Sequence, residues 1–216
     1  DLLPLAPACA TDGTIPVQAP ATVAETRFLL SLAEGEPRIR GVIGWIDLPA
    51  PDAVAQLEEL ARHPRLVGIR PMLQDLPRDD WILDPDKTPT IAAIAQSGLV
   101  FDALIRPRHI PHIVTLAKRH PELSIVVDHA AKPAIGEHAS FDAWAAGIAA
   151  LASLPNVACK LSGLLTEAPA GADAAMLCPY VDTLLGTFGA DRLIWGSDWP
   201  VLLLVGEYRD WSAMTD

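Results

Sequence analysis

A carboxylate, an imidazole and an ammonium group each stand at the end of a short apolar run in this sequence. His129 directly follows Ser124-Ile125-Val126-Val127-Asp128. Such a histidine serves as a metal ligand or a carbonyl-polarising imidazole, or simply hydrogen-bonds a neighbouring carbonyl. Asp198 lies in Leu193-Ile194-Trp195-Gly196-Ser197-Asp198-Trp199-Pro200. As a catalyst it is a general base that takes a proton from water. As a structural residue it caps a turn whose direction Pro200 fixes. Trp199 beside it is placed to desolvate the carboxylate and raise its pKa. Lys160, in Val157-Ala158-Cys159-Lys160-Leu161-Ser162-Gly163, either stabilises an oxyanion or snorkels outward. Arg70 is suited to a substrate carboxylate or hydroxyl.

These residues belong to a wider pattern. Seven strand candidates, Thr14–Ala19, Gly41–Leu48, Leu66–Leu73, Leu99–Ile105, Ser124–His129, Val157–Ser162 and Leu193–Gly196, start 27, 25, 33, 25, 33 and 36 residues apart. Each interval holds one strand, one helix and two short loops. The strands exit on Gln18, Asp47, Arg70 with Gln74, Asp102, Asp128-His129 with Lys132, Lys160 with Ser162, and Ser197-Asp198. Ionisable groups at the ends of buried strands are costly unless paired or functional. In parallel barrels that end of the sheet carries the active site.

The intervening segments read as helices. Thr22-Val23-Ala24-Glu25 is a capping box opening an apolar stripe through Phe28, Leu29 and Leu32. Pro51-Asp52-Ala53 starts another, with Val54, Leu57 and Leu60 at helical spacing. Pro107 to Arg119, with Pro111 in the first turn, Ser140 to Leu154 and Asp173 to Phe188 follow. Leu2–Ala10 resembles a helix end, with Asp12-Gly13 as its exit turn, and the sequence stops soon after Tyr208-Arg209-Asp210-Trp211, where a last helix should begin. Runs such as Ile125-Val126-Val127 are apolar on both faces, which means burial on both sides and a parallel sheet. The strand spacing favours a barrel over a doubly wound sheet. No Gly-x-Gly-x-x-Gly follows the first strand and no Walker loop is present. The expected fold is an α/β (β/α)8 TIM barrel lacking its first strand and last helix, as one domain over residues 1–216.

Composition limits the function classes. The 216 residues are 50% hydrophobic and 20% charged, enough apolar side chain for one substantial core. Net charge is −11, from 16 Lys and Arg against 27 Asp and Glu, which argues against nucleic-acid and anionic-membrane partners. Cys9, Cys159 and Cys178 form no CxxC spacing and read as buried small hydrophobes in a reducing compartment. No apolar run reaches the roughly 20 residues of a membrane span. Asp1-Leu2-Leu3-Pro4-Leu5 lacks the features of a signal peptide. A cytoplasmic protein is expected. His63, His109, His112, His120 and His138 read as solvated, and Trp45 and Trp81 as core or pocket lining.

Val17-Gln18-Ala19, Gly41-Val42-Ile43-Gly44-Trp45-Ile46-Asp47-Leu48, Gly68-Ile69-Arg70, Phe101-Asp102, Asp128-His129-Ala130-Ala131-Lys132-Pro133, Cys159-Lys160-Leu161-Ser162-Gly163 and Gly196-Ser197-Asp198-Trp199-Pro200 occur in order over nearly the whole chain. In these motifs the sequence resembles the sugar lactonases of the amidohydrolase superfamily, the L-fuconolactonase and L-rhamnonolactonase-like members of the amidohydrolase 2 group. The resemblance implies a distorted (β/α)8 barrel that hydrolyses the ester of an aldonolactone. It matches His129 to the histidine of the sixth strand, Asp198 to the aspartate of the eighth, and Lys160 to a substrate-contacting position on the seventh. Catalysis then falls to Asp198, His129 and Lys160, and sugar hydroxyls to Arg70, Gln74, Asp102 and Trp199. The implied cofactor is one divalent metal ion, zinc, on His129 and Asp198. The family's His-x-His pair is absent from this sequence. The partner expected is a small-molecule lactone, and a homo-oligomer is compatible with the pattern. The rival readings are a decarboxylase, a dicarboxylate-lactone hydrolase, and a degenerate barrel without catalysis.

Overall fold

The computed structural model describes residues 11–215. Six parallel strands form one sheet: β1 (Val42–Gly44), β2 (Leu66–Ile69), β3 (Val100–Ala103), β4 (Ile125–Val127), β5 (Val157–Leu161) and β6 (Leu193–Trp195). Their spatial order is their chain order, β1-β2-β3-β4-β5-β6. A doubly wound sheet reverses direction at a switch point. This sheet never does, and it winds in the manner of a barrel wall.

The expected first strand is reduced to two parallel bridges, Thr14 with Ile39 and Val17 with Ile43. Pro16 has no N–H to donate, so a continuous ladder cannot form along Thr14–Ala19. The segment still docks at the sheet edge, where Gln18 N donates to Ile43 O at 2.9 Å and Ile43 N to Pro16 O at 3.0 Å.

Helices α1 (Val23–Gly35), α2 (Ala53–Leu60), α3 (Thr88–Gln96), α4 (Ile110–Arg119), α5 (His138–Ala152) and α6 (Ala174–Phe188) fill the intervals. Thr22 caps α1 by accepting from Glu25 N, and Asp173 caps α6 by accepting from Met176 N. Proline stands in the first turns of α3 and α4, where its missing N–H costs nothing. The core lies between helices and strands. Leu57, Ile94, Ile113, Ile148 and Leu184, one from each of α2 to α6, are fully buried, as are Val42, Ile69, Phe101, Val127 and Cys159 from the strands.

Some expectations fail locally. The buried stripe of α1 runs through Thr26, Leu29, Leu30 and Ala33, and Phe28 and Leu32 are exposed. A rotation of about one residue separates the two stripes, because Thr26 turns inward to accept from Trp45 N at 2.8 Å and donate to Trp45 O at 2.9 Å. Ile194 and Trp195 of β6 are exposed as well. A seventh helix, α7 (Tyr208–Thr215), is present where the last helix was expected to be lacking, and it buries Tyr208 and Trp211. It is tied to β6 by Trp211 Nε1 donating to Gly196 O at 2.8 Å and Trp195 Nε1 to Thr215 Oγ1 at 2.8 Å. The helix end expected over Leu2–Ala10 and the side chain of Cys9 lie outside the described residues. Among the described residues, no helix is long and apolar enough to cross a membrane.

Candidate active site

The strand exits converge. Asp102 on β3 lies opposite Val126, and Val126 opposite Ala158. Lys160, two residues beyond Ala158, shares its face and reaches back over β4. Its Nζ meets Asp102 Oδ2 at 2.6 Å and Asp128 Oδ1 at 3.1 Å. Arg70, one residue past β2, donates from Nη1 to Asp128 Oδ2 at 2.9 Å and from Nη2 to the Gln18 carbonyl. Gln18 in turn donates from Nε2 to Arg70 O at 3.0 Å. Five side chains from five places in the chain thus form one buried ionic network. Lys160 points inward and not to the helices.

Burial and charge set the protonation of this network. Burial pushes Asp102 up to about 6, reinforced by the Asp128 charge and only partly offset by Lys160. Burial acts the same way on Asp128, but His129, Lys160 and Arg70 outweigh it and hold that carboxyl below its usual range. Desolvation opposes charge on Lys160, and Asp102 with Asp128 overcomes it, so the ammonium form is favoured. Asp128 is the fixed anion and Asp102 the carboxylate that accepts a proton first.

Above the network sits His129. Its Nε2 is 3.5 Å from Asp198 Oδ1 and 3.5 Å from Asp128 Oδ1, and its Nδ1 is 2.8 Å from the buried Ser162 hydroxyl. Burial lowers the His129 pKa, with Asp128 and Asp198 opposing. Burial raises that of Asp198, against the pull of His129. The two shifts bring the proton affinities of imidazole and carboxylate closer together, which suits a pair that handles a proton. Thr166 Oγ1, 3.5 Å from Asp198 Oδ2, completes the surroundings of that carboxylate.

The backbone that carries His129 is unusual. His129, Ala130, Ala131 and Lys132 have φ of 48°, 50°, 58° and 52°, and Asp198 has φ of 55°. Four successive non-glycine residues in the left-handed region cost on the order of 1 kcal/mol each. Such strain persists only where surrounding contacts over-determine it, and it clusters at functional sites. Gly163, at φ 66°, backs the imidazole so closely that a Cβ there would lie 2.6 Å from His129 Nδ1. The peptide between Trp199 and Pro200 is cis.

The expected site residues divide. Asp198, His129, Lys160, Arg70 and Asp102 come together as described. Trp199 is half-buried and packs against the core. Gln74 does not join the network: its Nε2 donates to Asp75 Oδ2 at 3.1 Å, and its buried Oε1 lacks a hydrogen-bond partner among the described residues. Asp47 is exposed. His109 is buried rather than solvated, because its Nδ1 accepts from Arg106 N at 3.0 Å at a helix start. His138 opens α5 instead of lying in a connection. Cys178 is exposed on α6, while Cys159 is buried with its thiol pushed up to about 12 by desolvation. Trp81 stacks under the ammonium of Lys87 at 4.3 Å, and Trp45 is half-buried beside Thr26. Asp128, Ser162 and Gln18 were visible as strand-exit polar residues, but nothing in their spacing assigned them a task. Thr166 carried no signal, and Gly163 stood only as the last residue of the Cys159–Gly163 motif.

Some buried polar atoms go unpaired: Gln18 Oε1, Arg70 Nε and Asp102 Oδ1 have no hydrogen-bond partner among the described residues. Such atoms are expensive unless water or substrate satisfies them. The same residues do not build a metal centre. No group of three or more His, Cys, Asp or Glu able to hold an ion occurs among the described residues. His129 and Asp198 supply two ligands, and catalytic centres of this type use three from the protein.

A family model described as "Amidohydrolase" matches residues 1–216. An L-fucono-1,5-lactonase of Burkholderia ambifaria is 48% identical over 213 residues, 99% of this chain and 73% of that protein. An L-fucono-1,5-lactonase of Burkholderia multivorans is 38% identical over 225 residues, covering 100% of this chain and 76% of that protein. A crystal structure of an amidohydrolase from Burkholderia multivorans with bound zinc superposes with a TM-score of 0.94 at 38% identity, over 99% of this chain and 78% of that one.

Proposed function

Starting from the fact that the chain belongs to the amidohydrolase family, we propose that it is a lactonase that opens a sugar 1,5-lactone by attack of water on the ester carbonyl. The observation that carries the reading is geometric: His129 Nε2 lies 3.5 Å from the Asp198 carboxylate, beside the buried Asp102, Lys160 and Asp128 network. The lactonase relatives at 48% and 38% identity support the substrate class. Solved 2-pyrone-4,6-dicarboxylic acid hydrolases and aromatic-acid decarboxylases of similar fold are 15 to 23% identical and speak only to the fold.

Asp198 takes a proton from water as the water oxygen bonds to the carbonyl carbon. The oxyanion that forms is stabilised by the His129 Nε2–H and by the Lys160 ammonium, whose third N–H is left over after Asp102 and Asp128. Collapse breaks the bond to the ring oxygen, which leaves with the proton held by Asp198. Lactone and water yield one hydroxy acid. Arg70 and Asp102 are the residues assigned to sugar hydroxyls, with Gln74 and Trp199 as the further candidate contacts. A divalent ion is in keeping with the family and with the zinc-bound relative, and His129 and Asp198 are the residues to hold it. Two ligands do not make the centre, so none of these steps runs through an ion.

In architecture, residues 1–216 are read as one domain, with the six strands and the bridged segment as seven staves of a (β/α)8 barrel. The chain covers 78% of its zinc-bound structural relative, which supports that reading. The test is hydrolysis of L-fucono-1,5-lactone, followed by NMR of lactone against acid, beside a dicarboxylate lactone and an aromatic acid. Preferential turnover of the aldonolactone is expected. Turnover of the aromatic acid alone would replace this reading.

A further inference from the structure

We propose that Trp144 is a positioning residue: its indole N–H, acting through the Ala130 carbonyl, holds the left-handed turn that aims His129 at the reacting atoms. Trp144 lies on α5, outside the sheet, and is 2% exposed. Its Nε1 donates to Ala130 O at 2.8 Å. Ala130 follows His129 inside the run of four left-handed residues. Non-glycine residues stay in that region only when neighbours hold them there.

The holders come from several directions. Lys132 N closes the turn on His129 O at 2.7 Å. The Lys132 ammonium reaches Glu167 Oε1 at 3.1 Å, and Ser162 meets the imidazole. The Cys159 sulfur accepts from the Ala130 N–H, and Trp144 grips the Ala130 carbonyl, so that both backbone groups beside His129 are held and the carbonyl is held by Trp144. Its indole is itself fixed, with Phe141 and Tyr180 rings at 5.8 and 5.1 Å and Phe141 edge-on to Tyr180. A ring so clamped cannot swing to another acceptor, and its one N–H defines where the carbonyl must point. An error of about 1 Å in a reacting group costs up to about a hundredfold in rate.

The activity arm of the test rests on the lactonase reading, and a spectroscopic arm does not. Trp144→Phe removes the N–H with some volume, and 3-benzothienylalanine at position 144 removes the N–H alone. With the isostere, Tm is expected to fall by no more than a few degrees, kcat about tenfold or more, and KM to change less than about threefold. The imidazole ¹⁵N resonances of His129 are expected to shift in the same variant. An isostere with wild-type kcat and an unmoved His129 spectrum overturns the proposal. If the wild-type chain opens no lactone, the functional reading falls, and the ¹⁵N spectrum still decides what Trp144 does.

Discussion

Lys160 Nζ and Asp102 Oδ2 meet at 2.6 Å across an intervening strand, with Asp128 Oδ1 3.1 Å away on the other side of the ammonium. One cation thereby compensates two buried carboxylates, of which Asp128 is shared with Arg70.

Removing that cation leaves Asp102 without its ion-pair partner, with only the more distant pull of Arg70, and Asp128 with Arg70 and His129. Lys160→Met is expected to lower stability by about 3–5 kcal/mol, the usual outcome when one partner of a buried ion pair is deleted. Urea unfolding reads the change directly. A loss below about 1 kcal/mol would mean that solvent reaches the network freely.

The raised pKa of Asp102 makes stability depend on pH. Its folded value, about 6, lies above the ordinary 3.8, so the folded state holds the proton more tightly. The contribution is fully present below about 4 and disappears as pH rises through about 6, a decline on the order of 3 kcal/mol. Asp128 is shifted the other way, and its stabilisation is lost only as pH falls below its ordinary value of 3.8. Asp102→Asn is expected to flatten the curve between pH 4 and 6, measured by chemical denaturation across that window.

Asp198→Asn is expected to reduce kcat by roughly a hundredfold to ten-thousandfold, the range for a lost general base. Burial disfavours the Asp198 charge, so the variant is expected to melt at the same temperature or higher. Turnover at the wild-type rate would remove Asp198 from the chemistry.

Gly163→Ala places a methyl 2.6 Å from His129 Nδ1 at a backbone φ of 66°. A cost of about 1–3 kcal/mol follows from the backbone alone. Activity is expected to fall further than stability, because the clash falls on the imidazole. Comparing calorimetry with steady-state rates separates the two.

The repeating order of apolar strand and helix was legible because burial on both faces leaves a run such as Ile125-Val126-Val127 with no polar position. Polar strand exits were legible for the same reason: Arg70, Asp102 and Lys160 interrupt or end those runs. What lay beyond reading was set by three-dimensional neighbours. Asp128 looked like a companion of His129, yet Arg70 and Lys160, far away in the chain, make it the centre of the network. Ala130 and Ala131 are good helix formers with no mark of a left-handed turn. Gln74 and Asp47 occupy the right end of their strands but turn elsewhere, and the buried face of α1 is rotated by about one residue from its apolar stripe because Thr26 is satisfied by Trp45.

The sequential strand order has a consequence for synthesis. Asp102 precedes Lys160 by 58 residues, and Arg70 precedes Asp128 by 58. At the pace of a ribosome this is roughly 3 to 12 seconds between a charge emerging and its partner following. Through that interval the nascent sheet carries Asp102 without its ammonium, and burying it is unfavourable. The chain's own timetable thus delays closure of the polar interior until the fifth strand has left the tunnel.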